Sequence, residues 1–210
     1  DGSFAPSPLG DRATVETAEI TFSEIEAYGR VPISFTVKSI LELELQSGGI
    51  DGIGIKLTNR AVPKPYPKDY DADPDSRPTA WSKRFDTSNW GLIAARSHGE
   101  LVAGIALAFG SPNLDLLDRR TDLAVLWDLR VEPSHRRKGL GAALFSAAED
   151  WARERNCRQL KVETQNVNVP ACRFYQAQGC QLGGFNQFAY PDQPSEVQLL
   201  WYKSLSSSAA

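Results

Sequence analysis

Cysteine, histidine and methionine are scarce in this sequence. Its 210 residues include three cysteines, two histidines and no methionine. The cysteines (Cys157, Cys172 and Cys180) are odd in number and form no Cys-x-x-Cys pair, which argues against a disulfide framework and favours a reducing compartment. Two histidines are too few for a histidine-rich metal site. We therefore expect a cytoplasmic protein that binds no metal.

A strong excess of one charge and long apolar runs are also lacking. The 23 basic and 26 acidic side chains give a net charge of −3, which argues against nucleic-acid binding through bulk positive charge. No apolar run approaches the roughly 20 residues of a membrane-spanning helix. With 41% hydrophobic residues, the composition is that of a globular chain. The sequence thus predicts neither a nucleic-acid nor a membrane partner.

One folded domain is predicted between two loose ends. Residues 1–17 are rich in glycine, proline, serine and threonine, and residues 206–210 read SSSAA, so both segments are expected to be flexible. Hydrophobic periodicity between them predicts strands at 33–45, 90–96, 101–109, 123–131, 160–164, 185–190 and 197–202, and helices at 141–154 and 168–178. Asn168 is the expected N-cap of the second helix, and Gly179 the expected stop. This order predicts a single α/β domain over residues 18–205, with crossover helices on the faces of a mixed sheet.

The segment 63–79 combines five prolines with four alternating aspartates. Proline excludes a continuous helix or a central strand, so a long surface loop is predicted. The run KDYDADPD lacks the central glycine and the closing glutamate of a calcium loop. Two interpretations stay open. The segment is either a solvated acidic stretch or a lid whose carboxylates and tyrosines bind a cationic molecule through ion pairs and cation–π contacts.

A basic, glycine-rich turn, RRKGLGA at residues 136–142, follows a buried strand and opens a helix. The first N–H groups of a helix lack intrahelical acceptors and point outward at the positive end of the dipole, so a pyrophosphate fits there. Glycines at 139 and 141 let the backbone approach such a ligand closely. A solvated basic turn is the alternative. The patterns of dinucleotide-binding and P-loop motifs are incomplete or absent.

Two motifs at the right spacing make the chain resemble the GNAT family of N-acetyltransferases. Arg136, Gly139 and Gly141 match the acetyl-CoA signature of that family, Gln/Arg-x-x-Gly-x-Gly/Ala. The four positions of the second family motif are matched by Asn168, Ala171, Tyr175 and Gly179. The resemblance covers about residues 90–203. More narrowly, the stretches WDLRV, RRKGLG and LLWYK are similar to the streptothricin acetyltransferases.

The resemblance implies a fold and a co-substrate. The implied α/β GNAT fold has a mainly antiparallel mixed sheet that splays between its fourth and fifth strands and is flanked by helices. The implied acetyl-CoA-binding residues are Leu129, Val131, Arg136, Arg137, Lys138, Gly139, Leu140, Gly141, Ala142, Asn168, Ala171 and Phe174. Within this set, Leu129 and Val131 would contact the pantetheine arm, Asn168 would hydrogen-bond it, and the turn at 136–142 would bind the pyrophosphate.

The resemblance also implies that an amine attacks acetyl-CoA directly in a ternary complex. An alkylammonium with a pKa of about 10.4 must first lose a proton, and a carboxylate such as Asp128 or Glu163 can accept it. Asp128 is alternatively a structural partner of Arg130 or Arg173. Tyr175 occupies the family position that protonates the departing thiolate, and its alternative role is packing in the core.

The acceptor implied by the closer resemblance is a small cationic antibiotic of the streptothricin type, which implies a role in antibiotic resistance. Two alternatives stay open. One is the same chemistry on a protein lysine or N-terminus, and the other is an acyl-CoA-binding module without turnover. The last aromatic strand, 197–202, is either an edge that pairs between subunits of a homodimer or a strand covered within the monomer.

Overall fold

The structure is a computed structural model that describes residues 15–49 and 52–205. Most of the predicted N-terminal arm, up to residue 14, and the predicted tail at 206–210 lie outside the described residues.

The described residues form nine β-strands and four α-helices. The strands are β1 (Val15–Ile20), β2 (Phe35–Gly49), β3 (Gly52–Lys68), β4 (Gly91–Ser97), β5 (Glu100–Ala108), β6 (Leu123–Val131), β7 (Gln159–Gln165), β8 (Gln181–Asn186) and β9 (Gln198–Ser204). The helices are α1 (Ile25–Gly29), α2 (Trp81–Arg84), α3 (Leu140–Glu154) and α4 (Val169–Ala177). None of these helices is long and apolar enough to span a membrane.

Seven strands form one mixed sheet in the order β1-β4-β5-β6-β7-β9-β8, and β2 pairs with β3 in a separate two-stranded sheet. Within the large sheet every pair is antiparallel except β6 and β7. The strands predicted at 90–96, 101–109, 123–131, 160–164 and 197–202 and both predicted helices form, with ends shifted by no more than two residues. The predicted α/β class and mainly antiparallel mixed sheet are confirmed.

The parallel pair β6–β7 separates halfway along its length. Its pairing runs from Leu123 opposite Gln159 only to Leu126 opposite Val162. On the other side of β6, the register with β5 skips Trp127, which marks a β-bulge. A bulge bends its strand and increases the local twist. The splay predicted between the fourth and fifth strands therefore opens beyond this bulge, between β6 and β7.

Helices cover both faces of the sheet. On one face, α3 buries Leu144, Ala148 and Trp151, the apolar stripe that its sequence predicts, and α4 packs beside it. On the other face, Tyr28 of α1 and Trp81 of α2 lie in a second buried aromatic cluster. The sheet is thus covered on both sides, and the splay lies between two packed layers.

Prolines do not end β3 where a loop was predicted. The strand continues to Lys68, so the prediction of a loop from residue 63 is wrong for its first six residues. The register jumps from Ser39 opposite Ala61 to Val37 opposite Tyr66, which places Pro63 and Pro65 in a bulge. A bulge residue needs no ladder hydrogen bond, and a two-stranded sheet contains only edge strands, where proline is tolerated.

Two predictions near the chain ends need correction, and one alternative that the sequence left open is decided. β1 begins at Val15, within the predicted arm 1–17, but it is mostly exposed and has no alternating apolar pattern. β8 spans Gln181–Asn186 rather than 185–190. A Cβ at Gly183 would lie 2.4 Å from the Tyr202 ring, so glycine there allows the strand to pack rather than breaking it. β9 lies between β7 and β8, so it is covered within the monomer and is not an edge.

The hairpin β2–β3 is attached to the sheet where β7 ends. The backbone N–H of Leu41 donates to the carbonyl of Asn166 at 2.9 Å, and the Asn166 side-chain amide donates to the Leu41 carbonyl at 3.0 Å. Leu41 and Leu57 pack against the core on the α3 side. These contacts place the base of the hairpin beside the open end of the splay.

Candidate active site

A cavity of about 700 Å³ lies where β6 and β7 separate. All the predicted site residues line it except Lys138 and Leu140. The basic turn and α4 form one part of its wall, and the segments around Ile33, Tyr70, Trp81 and Leu116 form another. The volume is within the range of small-molecule sites. The predicted donor residues and the predicted catalytic residues therefore surround one continuous space.

The turn before α3 has the geometry of a diphosphate site. Gly139 is the N-cap residue of α3 with a φ of +86°, a left-handed conformation that favours glycine. The N–H groups of residues 140–142 follow it and have no acceptor within the helix. A Cβ at Gly139 would meet nothing within 4 Å, so this turn is open to a ligand. Gly141 permits close packing on Phe174, whose ring would lie 3.3 Å from an added Cβ.

The basic side chains of the turn differ in what they do. The Arg136 guanidinium donates to the carbonyl of Val131 at 2.9 Å and to that of Ser34 at 3.1 Å. Arg136 thereby fastens the turn to the chain before β2, and it also lines the cavity. Arg137 is exposed and lines the cavity. Lys138 is exposed but does not line it, so it can act there only through its charge.

Asn168 caps α4 and also contacts the segment after β3. Its side-chain oxygen accepts from the N–H of Ala171 at 3.2 Å, as the predicted N-cap requires. Its amide nitrogen donates to the Tyr70 hydroxyl at 3.4 Å, and that hydroxyl donates in turn to Gln165. Both polar atoms of the Asn168 side chain thus have protein partners in addition to any contact with a bound pantetheine arm.

Tyr175 lies on the buried face of α4 at the centre of the cavity wall. It is 5% exposed, its ring lies 5.2 Å from the ring of Phe174, and it lines the cavity. Burial, assisted by the negative charge of Asp128, raises the pKa of the Tyr175 hydroxyl well above its usual value. The hydroxyl therefore stays protonated at neutral pH and is available as a proton donor. Tyr175 can therefore both pack in the core and act as a proton donor.

Asp128 is held in a buried ion pair. Its carboxylate accepts from Arg130 at 2.8 and 2.7 Å and from the Tyr28 hydroxyl at 2.6 Å. Burial and the neighbouring charge of Asp128 raise the pKa of Tyr28. The structural partner that the sequence left open is thus Arg130 and not Arg173. An arginine across both carboxylate oxygens offsets the charge that a base needs.

Glu163 differs from Asp128 in its partners. One oxygen accepts from the Tyr190 hydroxyl at 2.6 Å, and the other accepts from the Gln198 amide at 2.9 Å. Both donors are neutral, so they orient the carboxylate without cancelling its charge. Burial and the charge of Glu163 raise the pKa of Tyr190, which keeps that tyrosine a donor. Among the described residues that line the cavity, Glu163 is the carboxylate without an ion-pair partner.

The acidic segment after β3 is ordered as short 3-10 turns. The side chain of Asp69 accepts from the N–H of Asp71, and that of Asp73 accepts from the N–H of Asp75, each at 3.0 Å. Asp69 and Asp73 are therefore turn caps, a local pattern that the sequence itself carries. Tyr70 and Ser76 line the cavity but none of the four aspartates does. Of the two interpretations that the sequence left open, carboxylates that face a bound cation are thus not supported, whereas the segment does form part of the cavity wall.

Several residues of this wall were not predicted as site residues. Arg130 was named only as a partner of Asp128, Trp127 was not singled out, and the sequence alone does not decide whether Trp81 lines a pocket or packs in the core. Tyr190, which bonds Glu163 but does not line the cavity, was not singled out either. Trp81 is 2% exposed and Trp127 half-buried, and both line the cavity while packing in the aromatic cluster. Only the bulge places Trp127 there, and no local pattern predicts it.

Comparisons with known proteins place this chain in a family. The model of the acetyltransferase (GNAT) family matches residues 56–180. The streptothricin acetyltransferase of Escherichia coli is 32% identical over 171 residues, which cover 80% of this chain and 84% of the relative. That of Streptomyces lavendulae is 27% identical over 193 residues, which cover 92% of this chain and 95% of the relative.

Solved structures agree with this assignment. A Bacillus anthracis str. Ames protein described as a streptothricin acetyltransferase, solved in complex with acetyl coenzyme A, is 26% identical with a TM-score of 0.69 and covers 93% of this chain and 100% of its own. A nourseothricin acetyltransferase has the same TM-score of 0.69 at 23% identity and covers 91% and 99% of the two chains. The chain belongs to the acetyltransferase (GNAT) family. It is an acetyltransferase with acetyl-CoA as co-substrate, as the motifs predicted.

Proposed function

We propose that this protein transfers the acetyl group of acetyl-CoA directly to a primary amine of a streptothricin-type antibiotic in a ternary complex. The observation that carries the proposal is the Glu163 carboxylate, which lines the cavity, accepts from two neutral donors and has no ion-pair partner in the part of the chain that the structure describes. A small cationic acceptor suits such a site. Two relatives that align with at least 80% of this chain bear the name streptothricin acetyltransferase, which supports the same acceptor class.

The donor half of the proposal depends on backbone groups. The N–H groups of residues 140–142 would bind the diphosphate, with Arg137 and Lys138 adding positive charge. Because β6 and β7 stop pairing after Leu126, the peptide groups of β6 near Leu129 and Val131 are left to pair with the pantetheine arm. When bound, acetyl-CoA supplies the acetyl group as an activated thioester.

Two side chains that line the cavity would transfer protons during the reaction. Glu163 accepts the proton of the incoming ammonium, directly or through water, and so creates the nucleophilic amine. Tyr175, which stays protonated because of its burial, donates to the thiolate as it leaves. Asp128 is the weaker candidate for the base because Arg130 bonds both of its oxygens.

The lining of the acceptor end favours a small molecule over a polypeptide. Tyr70 and Ser76, from the Pro- and Asp-rich segment 63–79, line it together with Trp81 and Leu116, so this segment would occupy the approach that a peptide needs. Three buried free cysteines also suit the reducing cytoplasm, where acetyl-CoA is available. We therefore place the activity in the cytoplasm, where it would give resistance to the antibiotic.

The test is a thiol-release assay with acetyl-CoA and a panel of amines: streptothricin, aminoglycosides, spermidine, free amino acids and a lysine peptide. Saturable release with streptothricin alone is the expected result. Turnover of the peptide but not of the antibiotics would contradict the proposed acceptor and favour protein acetylation. Acetyl-CoA binding by calorimetry without turnover of any amine would contradict the enzymatic proposal and favour a binding module.

A further inference from the structure

Arg130 connects the strand at the donor site to the segment at the acceptor end. Its side chain is 1% exposed and bonds Asp128 on its own strand at 2.8 and 2.7 Å. It also donates to Asp71 at 2.9 Å and to the carbonyl of Val31 at 3.0 Å. Its guanidinium lies 5.2 Å from the centre of the Tyr28 ring. Three separate parts of the chain, namely β6, the turn that contains Asp71 and residues 28–31, therefore meet at this one guanidinium.

Both residues of the Arg130–Asp71 ion pair lie at or beside the cavity wall. Arg130 lines the cavity together with its β6 neighbours Leu129 and Val131, the two residues expected to contact the pantetheine arm. Asp71 follows Tyr70, which lines the acceptor end of the cavity. The ion pair thus joins the β6 side of the cavity to the segment that contains Tyr70.

Charge counting indicates what Asp71 contributes. Arg130 carries one positive charge, and the buried Asp128 already balances it with a two-oxygen contact. Asp71 brings a second carboxylate, whose side chain is 20% exposed and contacts both terminal nitrogens of the guanidinium. Since neutralising Arg130 does not require Asp71, the main effect of the second ion pair is to fix the turn that contains Asp71.

We propose that Arg130 and Asp71 are positioning residues whose ion pair holds the turn at 69–72 against β6 and thereby sets the shape of the acceptor end. Tyr70 carries this effect into the cavity, because its hydroxyl bonds Gln165 and Asn168 across the gap. The identity of the acceptor rests on the proposed function, whereas the ordering of the turn does not. Loss of the pair leaves the donor turn at 136–142 in place.

The experiment compares Asp71→Asn with Asp75→Asn in the full chain. Both variants remove one negative charge from the same segment, but Asp75 is exposed and its side chain makes no ion pair among the described residues. For the amine that the wild type turns over best, Asp71→Asn should raise KM about tenfold with little change in kcat. Acetyl-CoA affinity, measured by calorimetry, should stay within about twofold, and Asp75→Asn should match the wild type.

Three further measurements separate positioning from other effects. Asp71→Glu should recover part of the acceptor affinity, since its carboxylate can still reach Arg130. The increase in acceptor KM should persist at high salt. If Asp71 acted only by attracting the cationic acceptor over a long range, salt would screen that attraction and the difference between the variant and the wild type would disappear. Hydrogen exchange of residues 69–80 in the ligand-free protein should be faster in Asp71→Asn and unchanged in Asp75→Asn.

A failure of the positioning role can be distinguished from a failure of the proposed function. An unchanged acceptor KM and unchanged hydrogen exchange in Asp71→Asn would overturn the positioning role, as would an equal defect in Asp75→Asn or an equal loss of acetyl-CoA affinity. If no amine is turned over by the wild type, the proposed function fails, and hydrogen exchange alone still decides whether the pair orders the turn.

Discussion

At the scale of single residues, the neighbours of each carboxylate decide what it can do in the cavity. Asp128 and Glu163 both line the cavity, but Asp128 is bonded by a guanidinium and Glu163 by a phenol and an amide. A neutral partner orients a carboxylate and leaves its charge available, whereas an arginine offsets that charge. Glu163 is therefore the group expected to meet the acceptor amine.

Replacing Glu163 with glutamine should lower kcat/KM for the acceptor by about 100-fold, the range of general base catalysis. The amide keeps hydrogen-bonding capacity but cannot take up the proton. Acetyl-CoA affinity should not change. Steady-state kinetics with the acceptor varied at saturating acetyl-CoA measure the effect, and Glu154→Gln, a change at a side chain that is 75% exposed, is the control. Equal kinetics of Glu163→Gln and wild type would exclude Glu163 as the base.

Replacing Tyr175 with phenylalanine should lower kcat by about 100-fold, because the departing thiolate loses its proton donor. The ring and its contacts with Phe145 and Phe174 remain, so acetyl-CoA affinity and thermal stability should change little. The matched control is Tyr202→Phe on β9, outside the cavity wall. Since the pKa of Tyr175 is raised, the wild type should also keep its kcat up to about pH 9. Unchanged turnover in Tyr175→Phe would remove the general-acid role.

At the scale of elements, the start of α3 and the paired half of β6–β7 position the donor site. The left-handed Gly139 begins α3, whose first N–H groups have no acceptor within the helix, and Gly139, Gly141 and Ala142 line the cavity. At the other end of the splay, pairing from Leu123 to Leu126 keeps the two strands together. The site thus has one joined end and one open end, and the open end receives the ligands.

Gly139→Ala should weaken acetyl-CoA binding about tenfold, because a left-handed conformation costs an alanine about 1 kcal/mol and relaxation would turn the N–H groups away. A control is available in Gly99 of the β4–β5 turn, which has a φ of +84° and equally open surroundings. Gly99→Ala should cost similar stability and leave acetyl-CoA affinity unchanged. Calorimetry and thermal unfolding measure the two quantities. Equal losses of acetyl-CoA affinity in the two variants would contradict the assignment of this turn.

The stabilisation that Asp122 contributes at the paired end of β6 and β7 should depend on pH. Its carboxylate accepts from Arg120 at 2.9 Å and from Arg158 at 2.8 Å, and these bonds lower its pKa to about 2. Because the folded pKa is below the unfolded value of about 3.9, the stabilisation is complete above that value and is lost as pH falls towards 2. Urea unfolding should therefore show that Asp122→Asn is less stable than wild type at pH 6 and similar to it near pH 2. A difference that does not depend on pH would contradict this role.

Local patterns predicted the elements better than they predicted the contacts of the site. The period of α3, the N-cap Asn168 and the glycine turn depend on residues close in sequence, so the sequence alone located them. Glu163 bonds Tyr190 and Gln198, which are 27 and 35 positions away, and Tyr28 bonds Asp128 across 100 positions. Such partners are set by topology. The exposed strand β1 and the prolines in the β3 bulge show that some secondary-structure elements also cannot be predicted from local sequence patterns.

At the scale of the whole molecule, one separated strand pair lies between two packed layers, and β6 contributes to both halves of the site. Its bulge lies where the two strands separate, its backbone beyond the bulge is expected to pair with the donor, and Arg130 on the same strand bonds Asp71 of the turn at the acceptor end. A donor and an acceptor can therefore meet at the splay without a covalent enzyme intermediate. Direct acetyl transfer to a small amine is the central claim.

The most direct test is to incubate the protein with streptothricin and acetyl-CoA labelled in its acetyl group, and to analyse the antibiotic by mass spectrometry and NMR. We expect one labelled acetyl group on a primary amine of streptothricin. Unmodified streptothricin, under conditions in which the same preparation releases CoA with another amine, would contradict the proposed acceptor. Label found on the protein itself as a competent intermediate would contradict direct transfer.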